Sequence, residues 1–395
     1  MSCCTGSRWR RLRILALLGA ALYLFLGPTT LSAPAASLLA AARAQRAAAA
    51  AATAALAAAA PPPPPPPASL VWVLLGDTHF QPYLLESITQ AKLLNPGAPL
   101  YLVCEEVWLP DSHAWAPALD AAGVTRVPYA SLVDDFTVAF DLAYERLWEG
   151  RAGMMQPTLN HRTNMGFTSH TMVRLVALQR LLETRGIERA VHLENDQMVY
   201  GSVAALADAA DGCGLRLGMT RVGERFAPAV VYSRDAAALK VMLDFIFWAI
   251  TAPRDVADSI GKGYPTDMSI TASFFDIMAG QGGANATAFG ALPPSNDGSC
   301  VAAAGAQMYD GLGLGCWCCG DFYNPKKHLS VRLAESRVKY WDSPFEWRVE
   351  GGLRLPLWNG SRVFNLHMHN KQLHLFRSSD PEIPADAWAA APERN

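Results

Sequence analysis

Apolar residues fall into two kinds of run along this chain, and the two alternate. Residues 70–75 (LVWVLL) are continuously apolar and stop at Gly76-Asp77. That is the pattern of a strand buried on both faces, with a loop at its carboxyl end. From Pro82 to Leu94 the apolar positions move to helical spacing (Leu84, Leu85, Ile88, Ala91, Leu94), and Asn95-Pro96-Gly97 closes the helix. Residues 100–103 form a second apolar run of strand length. Strand, helix and strand in so short a stretch predict a βαβ unit and a parallel sheet. Ligands of such sheets bind beyond the carboxyl ends of the strands, where Gly76 and Asp77 lie.

The alternation continues. Residues 118–127 predict a short helix and a strand, and 132–149 an amphipathic helix. Residues 151–168 read as a polar loop that either meets an acceptor or lies at the surface. Thr168-Ser169 can cap a helix over 170–185 that stops at Gly186, with Met172, Leu175, Leu178 and Leu182 as its buried stripe. Arg174 sits off that stripe, as a solvated helix residue or a phosphate ligand. Strands are expected at 215–219 and 226–233, and an apolar helix from Arg234-Asp235 through 250. A helix over 268–278 has Asp267 at its N-cap position. Residues 281–298 read as a Gly/Ala/Pro-rich loop.

The chain centres on residues 190–196, Ala-Val-His-Leu-Glu-Asn-Asp. A short apolar strand runs into Glu194 and Asp196, which in extended chain share a face about 7 Å apart at Cα. Paired carboxylates at a strand end hold a divalent cation or cap a solvated turn. Hard cations such as Mg²⁺ take carboxylate oxygens, and Mn²⁺ takes the same ligands. Near the other end comes Asn365-Leu-His-Met-His-Asn-Lys371. His367 and His369 share a face in extended chain and Lys371 continues it. One imidazole can complete a metal site and the lysine can neutralise a diphosphate. Asp267, at a helix start, is a structural cap or a base facing a cleft. The glycine-dense stretch 310–321 carries Trp317 and Asp321 and reads as a disulfide-pinned loop, a sugar-stacking platform, or both. It lacks the strand-to-helix context of a dinucleotide or P-loop fingerprint.

Charge and composition add the setting. No Asp or Glu precedes Asp77, while six arginines do. From Leu70 onward 27 basic residues therefore stand against 35 acidic ones. So acidic a domain is a poor partner for a nucleic-acid backbone. Arginines at 8, 10, 11 and 13 precede an apolar run over 14–26 that extends, without charge, to a span of about 20 residues. Residues 1–13 thus read as a cytosolic tail, 14–34 as a signal anchor with a cleaved signal peptide as the rival, and 35–68 as an Ala/Pro-rich stalk. A catalytic domain over 69–380 and a tail over 381–395 complete the division. Six cysteines follow the anchor, and pairing of Cys300 with one of Cys316, Cys318 and Cys319 is expected, against a zinc site as the weaker alternative. Sequons at Asn285 and Asn359 fit the secretory pathway.

Together these features resemble the GT-A type of glycosyltransferase. The resemblance spans about residues 70–377, on the opening strand to Asp77, the helix bearing Arg174, Glu194-Asn195-Asp196 in place of an Asp-x-Asp motif, and the segment 365–371. It implies a Rossmann-like α/β fold with a mostly parallel sheet, and transfer of a sugar from a nucleotide-sugar donor, UDP-linked by preference, to a glycan, protein or lipid acceptor. It implies Mn²⁺ or Mg²⁺ on Glu194, Asp196 and either His367 or His369. Gly76, Asp77, Arg174, Asn195 and Lys371 would then face the donor, and Asp267 or Asp321 would serve as base. Tail, anchor and stalk resemble those of type II proteins of the Golgi membrane with a lumenal catalytic domain. A non-catalytic glycan- or nucleotide-binding relative on the same fold is the alternative. The first acid is Glu where the motif has Asp, and the His-x-His-x-Lys spacing departs from that of glycogenin-like enzymes.

Overall fold

The computed structural model describes residues 65–76, 81–111, 113–148, 161–222, 225–261, 265–292, 307–309, 346–358, 360–368, 373 and 377–379; of 161–169, 284–286, 307–308 and 358 it describes the backbone alone. The expected tail, anchor and most of the stalk lie outside these residues, as do Asp77, Asp321, His369, Lys371 and Cys300 to Cys319. Among the described residues no helix is long and apolar enough to cross a membrane.

A seven-stranded sheet forms the centre, in the order β3-β2-β1-β4-β7-β6-β8. Its strands are β1 (Ser69–Leu74), β2 (Leu100–Cys104), β3 (Val124–Pro128), β4 (Ala190–Leu193), β6 (Leu217–Val222), β7 (Arg225–Ser233) and β8 (Phe289–Ala291). β1 pairs in parallel with both β2 and β4. β7 runs antiparallel to β4 and to β6, so the sheet is mixed but mostly parallel. The chain steps outward from β1 through β2 to β3, then returns to β4 on the other side of β1. The strand order therefore reverses between β1 and β4, and a crevice opens at the carboxyl ends of such a pair.

Alternation along β1 builds a core on each face. Leu70, Trp72 and Leu74 point to one side, where they pack with α1 (Pro82–Leu94), α2 (Ala116–Ala121) and α5 (Val203–Gly212). Val71 and Val73 point to the other, against α3 (Asp135–Trp148), α4 (His161–Arg185), α6 (Ala236–Thr251) and α8 (Asp267–Gln281). All six residues of β1 are buried, which explains its uninterrupted apolar run. Trp72 keeps its indole N–H satisfied by Ser87 Oγ on α1, at 3.1 Å.

A second sheet has the order β10-β11-β12-β5. It joins β10 (Glu346–Glu350), β11 (Leu353–Trp358) and β12 (Ser361–His367) to the short β5 (Gln197–Val199), and β9 (Gln307–Tyr309) pairs with β12. β12 lies antiparallel to β5, with His367 opposite Gln197 and Asn365 opposite Val199. Buried between these strands, Asn365 Nδ2 donates to Gln197 Oε1 at 2.6 Å. From Pro66 onward these elements belong to one unit.

Several expectations from sequence are corrected. The helix bearing Arg174 begins at His161, not 170, so residues 161–168 are helical rather than loop. Residues 283–288 form α9 (Gly283–Ala288) and lead into β8, where a continuous loop was expected. The cap of α8 is Thr266, whose side chain accepts from Ser269 N in a reciprocal capping box, and Asp267 is the first helical residue. A further helix, α7 (Arg254–Ile260), follows α6. Cys104 is buried and free, and Cys213 is disulfide-bonded.

Candidate metal centre

Glu194 and Asp196 do not sit in extended strand. β4 ends at Leu193, and the chain turns, with Gln197 N donating to the Glu194 carbonyl at 3.2 Å, before β5 starts. The turn swings Asp196 back beside Glu194. Met368 N then donates to the Asp196 carbonyl at 2.9 Å, just past the end of β12. That contact delivers His367. Its Nε2 lies 3.2 Å from Glu194 Oε2 and 3.1 Å from Asp196 Oδ1. One ligand atom from each of the three residues falls within 4.8 Å of the others. Asp196 and His367 are each 6% exposed.

Two carboxylate oxygens and an imidazole nitrogen, converging and shielded from water, are a donor set that fits Mn²⁺ or Mg²⁺. The local charge fits as well. Three carboxylates, Glu194, Asp196 and Asp267, gather here, and the guanidinium of Arg174 pairs with Glu194 and Asp267. Burial pushes the Glu194 carboxyl up, but Arg174 first and His367 second outweigh it, and the group lies below its ordinary range. Asp267 goes the other way: burial dominates, and its carboxyl is raised despite Arg174. Met268 N donates to Asp267 Oδ1 at 2.9 Å, and the Thr171 hydroxyl also bonds this carboxyl.

His192, two residues before Glu194 on β4, was given no role by the sequence. It is fully buried, and burial, seconded by Arg174, pushes its pKa down to about 3. It is therefore neutral, with Nδ1 donating to the Val71 carbonyl at 3.1 Å. The Nε2 atom is left as a buried acceptor without a hydrogen-bond partner among the described residues. A histidine within an apolar strand, at even spacing from an acid, was the available signal.

Gly76 stands at the carboxyl end of β1, beside this cluster in the strand order. Its N–H donates to Glu105 Oε1 at 3.1 Å, and its φ of +72° suits glycine. The His170 ring lies directly over its α-carbon: a Cβ there would fall 1.7 Å from His170 Cε1. His170 precedes Arg174 by one helical turn, so both face this end of the sheet. Of the residues expected at the site, the structure brings together Glu194, Asp196, His367, Arg174 and Asp267. Asn195 lies between the two acids with its Oδ1 buried. Asp77, Asp321, His369 and Lys371 lie outside the described residues.

No protein-family model matches the sequence, and no curated protein matches it. Among solved structures, a chain described as PaToxG Glycosyltransferase is similar over 55% of this chain and 71% of that one, at 12% identity and a TM-score of 0.34.

Proposed function

We propose that this protein is a divalent-cation-dependent glycosyltransferase, moving a sugar from a nucleotide-sugar donor to a glycan, protein or lipid acceptor. The observation that carries the reading is the meeting of Glu194, Asp196 and His367, from two distant parts of the chain, at the carboxyl end of β4. The strand order reverses beside this point, where an α/β sheet offers its ligand crevice. Two oxygens and one imidazole favour Mn²⁺ over Mg²⁺, which takes nitrogen reluctantly. When bound, the cation supplies positive charge against the diphosphate and the charge that builds on the leaving nucleoside diphosphate.

The chain's own residues prepare that site. Arg174 takes Glu194 Oε1, so Oε2 is the oxygen turned toward Asp196 and His367. The contact of Met368 N with the Asp196 carbonyl fixes the turn between the acids. His192 is neutral and adds no positive charge to compete for them. Asp267, relieved of capping by Thr266 and held with a raised pKa, is suited to accept a proton from an acceptor hydroxyl. Gly76 and Asn195 are assigned to the donor. Asp77 and Lys371 join them, and Asp321 is a second candidate base, on sequence alone. Residence in the Golgi membrane as a type II protein is part of the proposal, supported by residues 8–34 of the sequence.

The test uses the purified full chain with a panel of UDP- and GDP-sugars. Release of nucleoside diphosphate from one donor in Mn²⁺, lost in EDTA and in Asp196→Ala, is the expected result. Calorimetry with Mn²⁺ follows for donors that are not turned over. Failure of every nucleotide to bind in that experiment overturns the reading.

A further inference from the structure

Arg174 is the one cation among the described residues that touches both Glu194 and Asp267, and its geometry is constrained from behind. Its Nε donates to the Thr171 carbonyl, one turn back on α4, at 3.0 Å. That bond orients the guanidinium. Nη2 then faces both carboxylates, contacting Glu194 Oε1 and lying 3.5 Å from Asp267 Oδ2. Only 12% of the Arg174 side chain is exposed, with 18% for Glu194 and 15% for Asp267. The Thr171 hydroxyl grips the same Asp267. A single turn of α4 thus holds the start of α8 on one side and the end of β4 on the other.

A guanidinium placed in this way is poorly available to a phosphate, which would have to displace one of two carboxylates in a largely dry setting. We propose that Arg174 is a positioning residue that couples Asp267 to the cation ligand Glu194, rather than a ligand of the donor. The proposal rests on the cation reading above. Its physical content is that Asp267 influences the cation site through Arg174: altering the partner at one end of the guanidinium shifts its hold on the carboxylate at the other.

The experiment titrates the full chain with Mn²⁺ alone and reads free Mn²⁺ by electron paramagnetic resonance. Wild type, Arg174→Ala, Asp267→Asn and the double variant form a cycle, and thermal melts confirm that each is folded. Asp267→Asn is expected to weaken Mn²⁺ binding about threefold or more in the wild-type background. In the Arg174→Ala background the same change is expected to move it less than about twofold, because the connection is gone. Arg174→Lys keeps the charge but lacks the fork, and is expected to behave as Arg174→Ala; it carries the cycle if the alanine variant does not fold. The proposal is overturned if Asp267→Asn leaves Mn²⁺ binding unchanged in the wild-type background. It is also overturned if the shift persists undiminished without Arg174, since that is direct electrostatics between Asp267 and the site. Failure of the cation reading looks different: wild type takes up no Mn²⁺, or Asp196→Ala takes it up equally well.

Discussion

The backbone N–H of Met368 donates to the carbonyl of Asp196 at 2.9 Å, continuing the ladder in which His367 pairs with Gln197. His367 is therefore brought to the two acids by strand pairing. Beside it, Tyr200 N donates to the Phe364 carbonyl at 2.6 Å, and the side-chain amide of Asn365 donates to Gln197 Oε1 at 2.6 Å. On the proposed reading, a cation site assembled by backbone is held before an ion enters, which lowers the ordering cost of binding.

Loss of a ligand should therefore be felt in affinity rather than in folding. His367→Ala is expected to weaken Mn²⁺ binding by at least about tenfold, the scale seen when even outer partners of a metal site are lost. Asp196→Ala should do at least as much. Thermal melts in EDTA should stay close to wild type, since the ladder is backbone. A collapse of the EDTA melt in His367→Ala would show that the side chain, not the pairing, holds β12 in place.

Asp267 yields a prediction with a definite sign. Its carboxyl pKa is raised in the folded chain, mainly by burial. The folded state then binds the proton more tightly than the unfolded one, so ionisation of this group costs stability as pH rises from its ordinary value through its raised one. Asp267→Asn removes that cost. In EDTA the variant should melt at or above the wild-type temperature at neutral pH, with the gap closing as pH falls below the ordinary carboxylate range. Thr266→Ala, next door, should instead lose about 1 kcal/mol through the missing cap and leave Mn²⁺ affinity alone. A lower melting temperature for Asp267→Asn at neutral pH would mean that its contacts with Thr171 and Arg174 outweigh its desolvation.

Much of this arrangement is legible in the chain. The apolar run ending at Gly76 forecasts a central strand because both faces of β1 are covered, and the acid-x-acid pair lies at the carboxyl end of β4, as its sequence position implies. His367 could be suspected, but its place beside Glu194 and Asp196 comes from the pairing of β12 with β5, which leaves no mark in the sequence, and His369 lies outside the described residues. What stayed hidden was mostly tertiary or offset by one residue. The reversed direction of β7 leaves no mark on a buried apolar strand, since periodicity is blind to direction. Residues 161–168 are polar and carry Gly166, and local propensity did not place them in a helix that continues to Arg185. Thr266 and Asp267 are both good caps, and the box closed by Ser269, rather than by Glu or Gln, gave no cue for choosing between them.

Gly76 tests the carboxyl end of β1. An alanine there must adopt a φ near +72°, at a cost of about 1–2 kcal/mol for an L-residue. Its Cβ would also fall 1.7 Å from His170 Cε1, but the imidazole is the free end of a side chain and can swing aside. Urea unfolding of Gly76→Ala should thus show a loss of about 1–2 kcal/mol, little relieved by adding His170→Ala. Full recovery in the double variant would mean that the steric contact, not the backbone, demands glycine.

The opposite end of the sheet should affect stability without touching the site. Arg189 precedes β4 with a positive φ of 56° and is 5% exposed. Its Nη1 donates to the Pro66 carbonyl at 2.9 Å, its Nε lies 2.9 Å from Asp211 Oδ2, and Nη2 contacts Asp208. Asp211 also accepts the Tyr232 hydroxyl at 2.5 Å. Removing the guanidinium leaves the partly buried Asp211 with only the more distant Arg234 Nε, at 4.0 Å, as an ion-pair partner among the described residues, and frees the lead-in to β1. Arg189→Ala is expected to cost on the order of 3 kcal/mol in urea unfolding, the low end for breaking a buried ion pair, because Asp208 is 65% exposed and regains water. Mn²⁺ affinity of the folded fraction should stay within about twofold of wild type, since the two ends are joined only through rigid strands. A larger shift in affinity would show that the position of β4 relative to β1, set at this end, tunes the geometry of Glu194 at the other.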